Sequence, residues 1–302
     1  MLKTIPQTKN FDLTHTDAHT KTRAGILPTA HGPIETPFFM PVGTHATVKT
    51  LSSEDLLECG AQIVLSNTYH LFVRPGMEVI KAAGGLHKFM NWQKPVLTDS
   101  GGYQIFSLTK FRKITDDGVK FRSHFDGAEH FFTPEDVVSI QKTLGSDIIM
   151  PLDECVGYPS DREVTERALK RTTLWAGRSK DFFVTQNTVA AHGRASLLFG
   201  IVQGGMYPDL RKRSLEEISE IGFDGVAIGG LSVGEPDEEM FEILEKLMPF
   251  MPTDKPRYLM GLGTPDQIVK AVALGVDMFD TCVPTRYGRH GSTFTGKGKV
   301  TV

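Results

Sequence analysis

The sequence has few cysteines, only two tryptophans, no long apolar run and almost no excess of charge. Its three cysteines, Cys59, Cys155 and Cys282, lie far apart and form no C-x-x-C pair. This argues against a disulfide framework or a cysteine-based zinc cluster and favours a reducing, cytoplasmic location. No apolar stretch reaches the roughly 20 residues that span a bilayer, and the N-terminal segment lacks the apolar core of a secretory signal. A total of 33 Lys and Arg against 36 Asp and Glu excludes a general basic coat for nucleic acid.

What the chain does contain is a globular composition with eight short apolar segments. With 40% hydrophobic and 23% charged residues, its 302 residues accommodate one large domain or two ordinary ones. Continuous rather than alternating apolarity is typical of strands that are buried on both faces, as in a parallel sheet. The segments are 38–43, 62–68, 95–101, 147–154, 197–205, 225–232, 257–263 and 278–284.

Helix start signals lie between most of these segments. Ser160 and Glu163 form a predicted capping box that opens a helix through about residue 182. The dipeptides Thr133-Pro134 and Thr264-Pro265 each place a cap residue before proline at the first helical position. Strand–helix alternation repeated this often predicts an α/β fold, a (β/α)8 TIM barrel. A doubly wound open sheet is the alternative, although no G-x-G-x-x-G follows the first strand.

Two stretches interrupt the alternation of strands and helices. Residues 1–37 are rich in Thr and Pro, and we expect them to form an N-terminal hairpin or cap. Residues 111–132 alternate around Asp117-Gly118 and Asp126-Gly127, which predicts a small antiparallel β insertion after strand 3. No repeat, low-complexity tract or linker divides the chain, so we expect a single catalytic domain over 1–302.

Polar side chains follow the predicted strands where each one ends. Asp99, Asp153 with Glu154, Gln203 and Asp280 lie at the ends of strands 3, 4, 5 and 8. The active site of such a barrel lies at the carboxyl ends of its strands, so we expect these carboxylates to meet. Displacement with retention at an anomeric carbon uses one carboxylate as nucleophile and another as acid/base, about 5–5.5 Å apart. The pattern therefore favours glycosyl transfer.

Other residues at the same end of the barrel suit a flat heterocycle. Gly230 lets backbone N–H groups approach a ligand, Tyr103 and Met260 offer faces for a planar ring, and the strand-4 aspartate and strand-5 glutamine match a donor–acceptor edge. Each feature also has a structural interpretation. Strand-end aspartates are often helix N-caps, and glycine pairs are usually turns. A methionine in an apolar run, such as Met260, is more often part of the core than a ring clamp, and Glu154 also suits an ion pair.

Seven segments closely resemble tRNA-guanine transglycosylases, and the resemblance covers about residues 11–295. The segments are 66–76, 99–108, 151–155, 200–205, 229–235, 257–265 and 279–291. DSGGYQ together with FD-x-x-x-PTR is not shared with ordinary barrel glycosidases. The resemblance implies exchange of the anticodon wobble guanine of tRNA for a 7-deazaguanine in queuosine biosynthesis. The implied mechanism is double displacement through a covalent Asp–ribose intermediate.

The resemblance also implies roles for individual residues. Asp280 matches the nucleophile and Asp99 the proton acceptor, while Tyr103 and Met260 match the residues that sandwich the base. The implied substrate-binding residues are Ser100, Gly101, Gly102, Tyr103, Asp153, Gln203, Gly230, Leu231 and Met260. The implied tRNA-binding residues are Gly261, Leu262, Gly263, Thr264, Pro265, Asp266, Gln267, Thr285, Arg286, Tyr287, Gly288 and Arg289.

Two positions, Cys155 and Val233, resemble the bacterial form of the family, which prefers 7-aminomethyl-7-deazaguanine to queuine. The implied partners are tRNA with a G-U-N anticodon, the 7-deazaguanine base and, in the full-length form, a second copy in a homodimer. The family's Cys-x-Cys-x-x-Cys plus His zinc site would need ligands beyond residue 302, so we expect no cofactor in this chain. His70 and His290 have no second ligand at metal-site spacing, and we expect no metal site from them.

Two other functions stay open at this stage. A retaining glycoside hydrolase would use the same carboxylates without RNA, but neither Trp92 nor Trp175 lies at a strand end to provide a sugar platform. A tRNA-binding accessory subunit, which is not an enzyme, would lack the nucleophile, whereas Asp280 is present.

Overall fold

The structure, a computed structural model, describes residues 11–108, 111–186 and 195–302, and parallel strands wrapped by helices make up most of it. In chain order the strands are β1 (Asp12–Thr16), β2 (Arg23–Thr29), β3 (Gly32–Thr36), β4 (Phe38–Pro41), β5 (Val64–Ser66), β6 (Val96–Thr98), β7 (Arg112–Thr115), β8 (Gly118–Arg122), β9 (Glu129–Phe132), β10 (Ile148–Ile149), β11 (Leu197–Val202), β12 (Gly225–Ile228), β13 (Arg257–Leu259), β14 (Met278–Thr281), β15 (Ser292–Thr295) and β16 (Gly298–Thr301).

Eight of these strands form one parallel sheet that closes on itself. Their order is β4, β14, β13, β12, β11, β10, β6 and β5. A parallel bridge between Val42 and Leu65 joins the first strand to the last. The fold is therefore a (β/α)8 barrel, as predicted, and the alternative of an open doubly wound sheet is wrong.

The helices lie between the barrel strands and cover the barrel from outside. They are α1 (Ser53–Glu58), α2 (Thr68–Val73), α3 (Met77–Ala82), α4 (Leu86–Met90), α5 (Gly102–Leu108), α6 (Pro134–Leu144), α7 (Arg162–Thr185), α8 (Pro208–Ile221), α9 (Asp237–Leu247) with a 3-10 turn (Met248–Phe250), α10 (Pro265–Ala273) and α11 (Val283–Arg289). None of these described helices is long and apolar enough to cross a membrane.

The predicted helix starts were correct in two cases and wrong in one. Thr133 and Thr264 cap α6 and α10, each in a capping box with proline at the first helical position. The box predicted from Ser160 and Glu163 does not form, because α7 begins one residue later with Asp161 as its N-cap. The Ser160 carbonyl instead accepts a hydrogen bond from the Tyr207 hydroxyl at 3.0 Å, which ties Ser160 into the preceding loop.

Three small antiparallel sheets accompany the barrel. The first, β1–β2–β3, confirms the predicted N-terminal cap, although residues 1–10 lie outside the described residues. The second, β7–β8–β9, confirms the insertion after the third barrel strand and follows α5. The third, the hairpin β15–β16, packs against α11 and was not predicted.

Apolar side chains fill the barrel interior, so the barrel is a core and not a pore. Met40, Leu97, Phe199 and Tyr258 each have essentially no exposed surface and belong to one buried cluster. The same layering occurs in other closed parallel barrels, where branched and bulky residues from alternate strands fill the interior. The polar residues at the strand ends therefore lie directly above an apolar layer of the core.

Two buried aspartates at the amino ends of the strands attach the N-terminal sheet to the barrel. Asp277 accepts two hydrogen bonds from the Arg23 guanidinium, at 2.8 and 2.7 Å, and one from the Arg257 N–H at 2.7 Å. Because an unpaired buried charge is strongly destabilising, Arg23 and Asp277 stabilise each other's burial and hold β2 against β14.

Asp147 forms the second attachment. Its Oδ1 accepts from the N–H and the Nδ1 of His31, both at 2.9 Å, and its Oδ2 accepts from the Val96 N–H at 2.9 Å and lies 3.2 Å from the His87 Nε2. The two imidazoles stack with centroids 3.6 Å apart and planes 18° apart. Nearly parallel rings cannot both direct an in-plane lone pair at one ion. We therefore interpret the group as a hydrogen-bonded attachment and not as a metal site.

The Asp147 hydrogen bond raises the pKa of His31 above its ordinary value. His31→Ala should lower the free energy of unfolding by about 2 kcal/mol at pH 5.5. This stabilisation is fully present below the ordinary imidazole pKa of about 6.5 and is lost as the pH rises through the raised pKa. Urea unfolding of both proteins at pH 5.5 and 8.5 measures it. The exposed His19→Ala is the control, and a His31 effect that is equal at both pH values would contradict the prediction.

Candidate active site

Most of the predicted catalytic and base-binding residues meet in one cleft at the carboxyl end of the barrel. The cleft has a volume of about 510 Å³, which is large enough for a nucleobase with its ribose. The predicted residues that line it are Asp99, Ser100, Tyr103, Asp153, Gln203, Gly230, Leu231, Met260, Gly261, Asp280 and Arg286. Parallel strand ends thus bring together residues that are far apart in the sequence.

Asp280, in the last barrel strand, has two oxygens in different environments. Its Oδ1 accepts hydrogen bonds from the Tyr258 hydroxyl at 2.6 Å and from the Gly261 N–H at 2.7 Å. No described residue donates a hydrogen bond to Oδ2. Burial raises the pKa of this carboxyl, and the two hydrogen bonds oppose that shift. One oxygen is therefore fixed by two hydrogen bonds, while the other accepts none from the described residues.

Asp99 follows β6, and both of its carboxylate oxygens accept hydrogen bonds from residues at the end of β5. Its Oδ2 accepts from the Asn67 side-chain amide at 2.6 Å, and its Oδ1 accepts from the Thr68 N–H at 2.9 Å. Burial raises the pKa of Asp99 to about 6, the negative charge of Asp280 acts in the same direction, and the hydrogen bonds oppose both. A carboxyl with this pKa is ionised at neutral pH and well matched to accept a proton there.

Asp153 and Gln203 form a hydrogen-bonded pair at the ends of β10 and β11. Asp153 Oδ1 accepts from the Ser100 hydroxyl and Oδ2 from the Gln203 amide, each at 2.8 Å. Burial also raises the pKa of Asp153. The Gln203 Oε1 is buried and has no hydrogen-bond partner among the described residues. Because buried polar atoms are nearly always paired, this acceptor is available to a donor that enters the cleft.

Glycines allow close packing against this pair. Gly230 has a φ of +61°, and a Cβ there would lie 2.3 Å from Gln203 Oε1, so the position requires glycine. A Cβ on Gly102 would lie 2.6 Å from the Asp153 carbonyl oxygen. Gly101 has a φ of +80° and packs against Tyr69. Gly101 and Gly102 do not line the cleft, and of the two only Gly102 packs against Asp153.

The two residues predicted to sandwich a base both line the cleft. Tyr103, on α5, is 48% exposed. Met260 is partly buried and packs on the barrel core through its inner side. No base lies between them, so the sandwich stays a prediction.

Glu154, by contrast, forms an ion pair, which is the structural alternative considered for it from the sequence. Its carboxylate pairs with the Arg171 guanidinium, and its N–H donates to the Thr172 hydroxyl at 3.0 Å. It does not line the cleft. Three carboxylates, and not the four expected from the sequence, therefore converge there.

The predicted tRNA-binding residues fall into two groups. In the first, Gly261, Pro265 and Asp266 are exposed, whereas Leu262 and Gly263 are buried and Leu262 packs in an apolar cluster. In the second, on α11, Arg286 and Arg289 are exposed. The stretch after Asp280 contains no acidic residue through Val302. Its exposed Arg and Lys side chains, on α11 and the β15–β16 hairpin, form a basic surface beside the cleft: Arg286, Arg289, Lys297 and Lys299.

Sequence reasoning missed the residues that donate hydrogen bonds to Asp280 and Asp99. Tyr258, Asn67 and Thr68 were not selected, although each donates to Asp280 or Asp99. The signal for Tyr258 was its position two residues before Met260, which places both on the inner face of a strand. The signal for Asn67 and Thr68 was the polar end of the second apolar segment.

The described residues do not fit a zinc site built from cysteines. Cys59 is exposed, Cys155 is buried in the cleft wall and Cys282 precedes α11, and all three are free thiols. No cysteine among the described residues belongs to a group of three metal-ligand side chains within reach of one ion. Burial raises the pKa of the Cys155 thiol to about 12, so it is neutral in the cleft.

Comparisons with known proteins identify the family of the chain. A family profile described as queuine tRNA-ribosyltransferase matches residues 17–302. The queuine tRNA-ribosyltransferase of Desulforamulus reducens is 56% identical over 286 residues, which are 95% of this chain and 75% of that protein. The enzyme of the same name from Halothermothrix orenii is 55% identical over 294 residues, which are 97% of this chain and 76% of that protein. The chain therefore belongs to the queuine tRNA-ribosyltransferase family and is a pentosyltransferase.

Proposed function

We propose that the chain exchanges the wobble guanine of a tRNA anticodon for a 7-deazaguanine base, by double displacement at the ribose anomeric carbon. The observation that carries the proposal is the pair of carboxylates in one cleft with different environments. Asp280 has one fixed and one unpartnered oxygen, and Asp99 has a pKa of about 6. Two-step displacement needs a nucleophile and a proton acceptor, and this pair supplies both.

In the first step, Asp280 Oδ2 attacks C1′ of the ribose and the C1′–N9 bond breaks. The electron pair of that bond leaves with guanine, and a ribosyl ester joins tRNA to the enzyme. In the second step, Asp99 takes the proton from N9 of the incoming base. The N9 lone pair then attacks C1′, and the Asp280 carboxylate leaves. Two inversions give net retention, and the hydrogen bonds from Tyr258 and Gly261 hold Oδ1 in both steps.

The base pocket, formed by Asp153, Gln203, Gly230 and Leu231, suits the edge of guanine. That edge has one acceptor, O6, beside two donors, N1–H and the N2 amino group. Each Asp153 oxygen has one further lone pair after its existing hydrogen bond, and Gln203 Oε1 has no partner among the described residues. The N–H groups of Gly230 and Leu231 also have none, and both residues line the cleft. Acceptors for the donors and donors for O6 are therefore present.

A nucleobase reaches such a pocket only when it is unstacked, and the bases of an anticodon loop unstack more readily than those of a duplex. The basic surface on α11 and the β15–β16 hairpin lies beside the cleft and offers positive charge to the loop phosphates. We infer that tRNA with a G-U-N anticodon is the partner. The homodimer and the cytoplasmic location stay predictions from the resemblance.

The nucleophile is tested with Asp280→Asn. Loss of the attacking carboxylate should abolish the tRNA adduct on a denaturing gel and lower labelled-guanine incorporation into unmodified tRNA by about three orders of magnitude or more. Glu154→Gln is the matched control, because Glu154 is a carboxylate at the same end of the barrel that pairs with Arg171. It should keep the adduct. An undiminished adduct in Asp280→Asn would rule out this nucleophile.

The proton acceptor is tested by pH dependence. Asp99 accepts a proton only when ionised, so kcat/KM for the incoming base should fall about tenfold per pH unit below about pH 6 and level off above it. Asn67→Ala removes a hydrogen bond that lowers the pKa of Asp99, so the inflection should move to higher pH. The control is Gln62→Ala, whose amide contacts Glu35 at the opposite end of β5. An inflection that stays fixed in Asn67→Ala would contradict the assignment.

The choice of base is tested by competition on one tRNA. Cys155 and Val233 line the cleft, and we propose that they limit the space for a substituent at position 7 of the base. We expect 7-aminomethyl-7-deazaguanine to be incorporated at least about tenfold faster than queuine, whose substituent is bulkier. Val233→Gly should lower the ratio of the two incorporation rates, that of 7-aminomethyl-7-deazaguanine to that of queuine. Val283→Ala, which changes a residue of the same cleft near Asp280, should leave this ratio unchanged. Faster incorporation of queuine by the wild type would reverse the assignment.

A further inference from the structure

Arg211, on α8, is a fully buried arginine whose guanidinium contacts only backbone carbonyls. Its Nε donates to the Gly205 oxygen at 2.8 Å, its Nη1 to the Gly229 oxygen at 2.7 Å and its Nη2 to the Gly230 oxygen at 2.8 Å. No described carboxylate forms an ion pair with it. Burial lowers the pKa of this guanidinium to about 10, so it is still charged at neutral pH.

A buried cation with no described carboxylate in direct contact is destabilising, and the more distant charge of Glu235 only partly offsets the burial, so helix packing alone does not account for Arg211. An apolar residue at this position would fill the same space without the desolvation penalty. What the guanidinium adds is a connection between two loops, since Gly205 follows β11 and Gly229 follows β12. Both loops form the wall of the base pocket.

The orientation of two peptide groups follows from these contacts. The peptide that contains the Gly229 carbonyl also contains the Gly230 N–H, and the peptide that contains the Gly230 carbonyl also contains the Leu231 N–H. In a planar trans peptide the N–H points away from the carbonyl. Because Arg211 binds both carbonyls, it fixes the directions of both N–H groups on the opposite side. Gly230 and Leu231 line the cleft, and among the described residues neither N–H has an acceptor.

We propose that Arg211 is a positioning residue of the base site, which aims and polarises the Gly230 and Leu231 N–H groups toward the 6-oxo group of a guanine-like base. The proposal rests on the proposed function, since it takes the ligand of the cleft to be such a base. A cation on a carbonyl polarises its peptide and strengthens the N–H as a donor. The same donors stabilise the negative charge that guanine gains when its bond to C1′ breaks.

The test is Arg211→Lys, which keeps the charge but cannot bridge three carbonyls. With guanine and unmodified tRNA as substrates, KM for guanine should rise about tenfold, the loss that corresponds to one well-aligned hydrogen bond. The second probe is 6-thioguanine, which keeps both donors of guanine and replaces the oxygen by a weak acceptor. The ratio of KM for 6-thioguanine to KM for guanine should be large in the wild type and approach one in the variant.

Arg257→Lys is the matched control. Arg257 is also buried, and its guanidinium donates to the carbonyls of Met251, Pro252 and Gly275 near the amino end of β13. Both variants should lower the melting temperature, but only Arg211→Lys should change the KM ratio. If Arg211→Lys lowers the active fraction with KM and the ratio unchanged, its role is structural only and the proposal is overturned.

A measurement on the wild type keeps the proposal testable if the variant does not fold. Guanine titrated into ¹⁵N-labelled protein should shift the amide proton resonances of Gly230 and Leu231 downfield, as expected for new hydrogen bonds. Unshifted amides under saturating guanine would overturn the proposal. Absence of guanine incorporation into tRNA by the wild type would instead refute the proposed function, and the two failures are therefore distinguishable.

Discussion

The candidate site depends on one constraint, which is that eight parallel strands close into a barrel. Closure places every strand's carboxyl end at the same end of the barrel, so Asp99, Asp153, Gln203 and Asp280 meet regardless of their separation in the sequence. The apolar interior beneath them withholds water from their inner sides. Burial is accordingly the largest influence on the pKa of all three carboxyls, and in each case it raises the pKa.

Because burial raises the pKa of all three carboxyls, differences in their hydrogen bonds must distinguish their proposed roles. In Asp280 both donors bind the same oxygen, which leaves the other available for attack. In Asp99 each oxygen has one donor, so the group keeps a fixed orientation while a lone pair on each oxygen can still take a proton. In Asp153 the donors are Ser100 and Gln203, which also line the cleft. In the proposed mechanism, the geometry of the donors is what distinguishes the three carboxyls.

The sequence predicted the barrel and the three carboxylates of the cleft, because strand ends are marked by a change from apolar to polar residues. It did not predict Tyr258, since a tyrosine inside an apolar segment is equally typical of a core. It did not predict Arg211, because an arginine on an amphipathic helix is usually exposed. Its burial depends on where two distant loops place their carbonyls. The capping box at Ser160 failed for a related reason, since Tyr207 binds its carbonyl across the fold.

The glycines of the base pocket explain why a restraint from outside the loop is needed. Gly230 must lack a Cβ, because one would lie 2.3 Å from Gln203 Oε1. The same absence gives the backbone the freedom that glycine has in any loop, and a flexible peptide presents its N–H in many directions. A bulkier residue cannot remove this freedom without displacing Gln203. A donor that binds the two carbonyls, on the side opposite the N–H groups, can restrict this freedom. In this chain Arg211 is that donor.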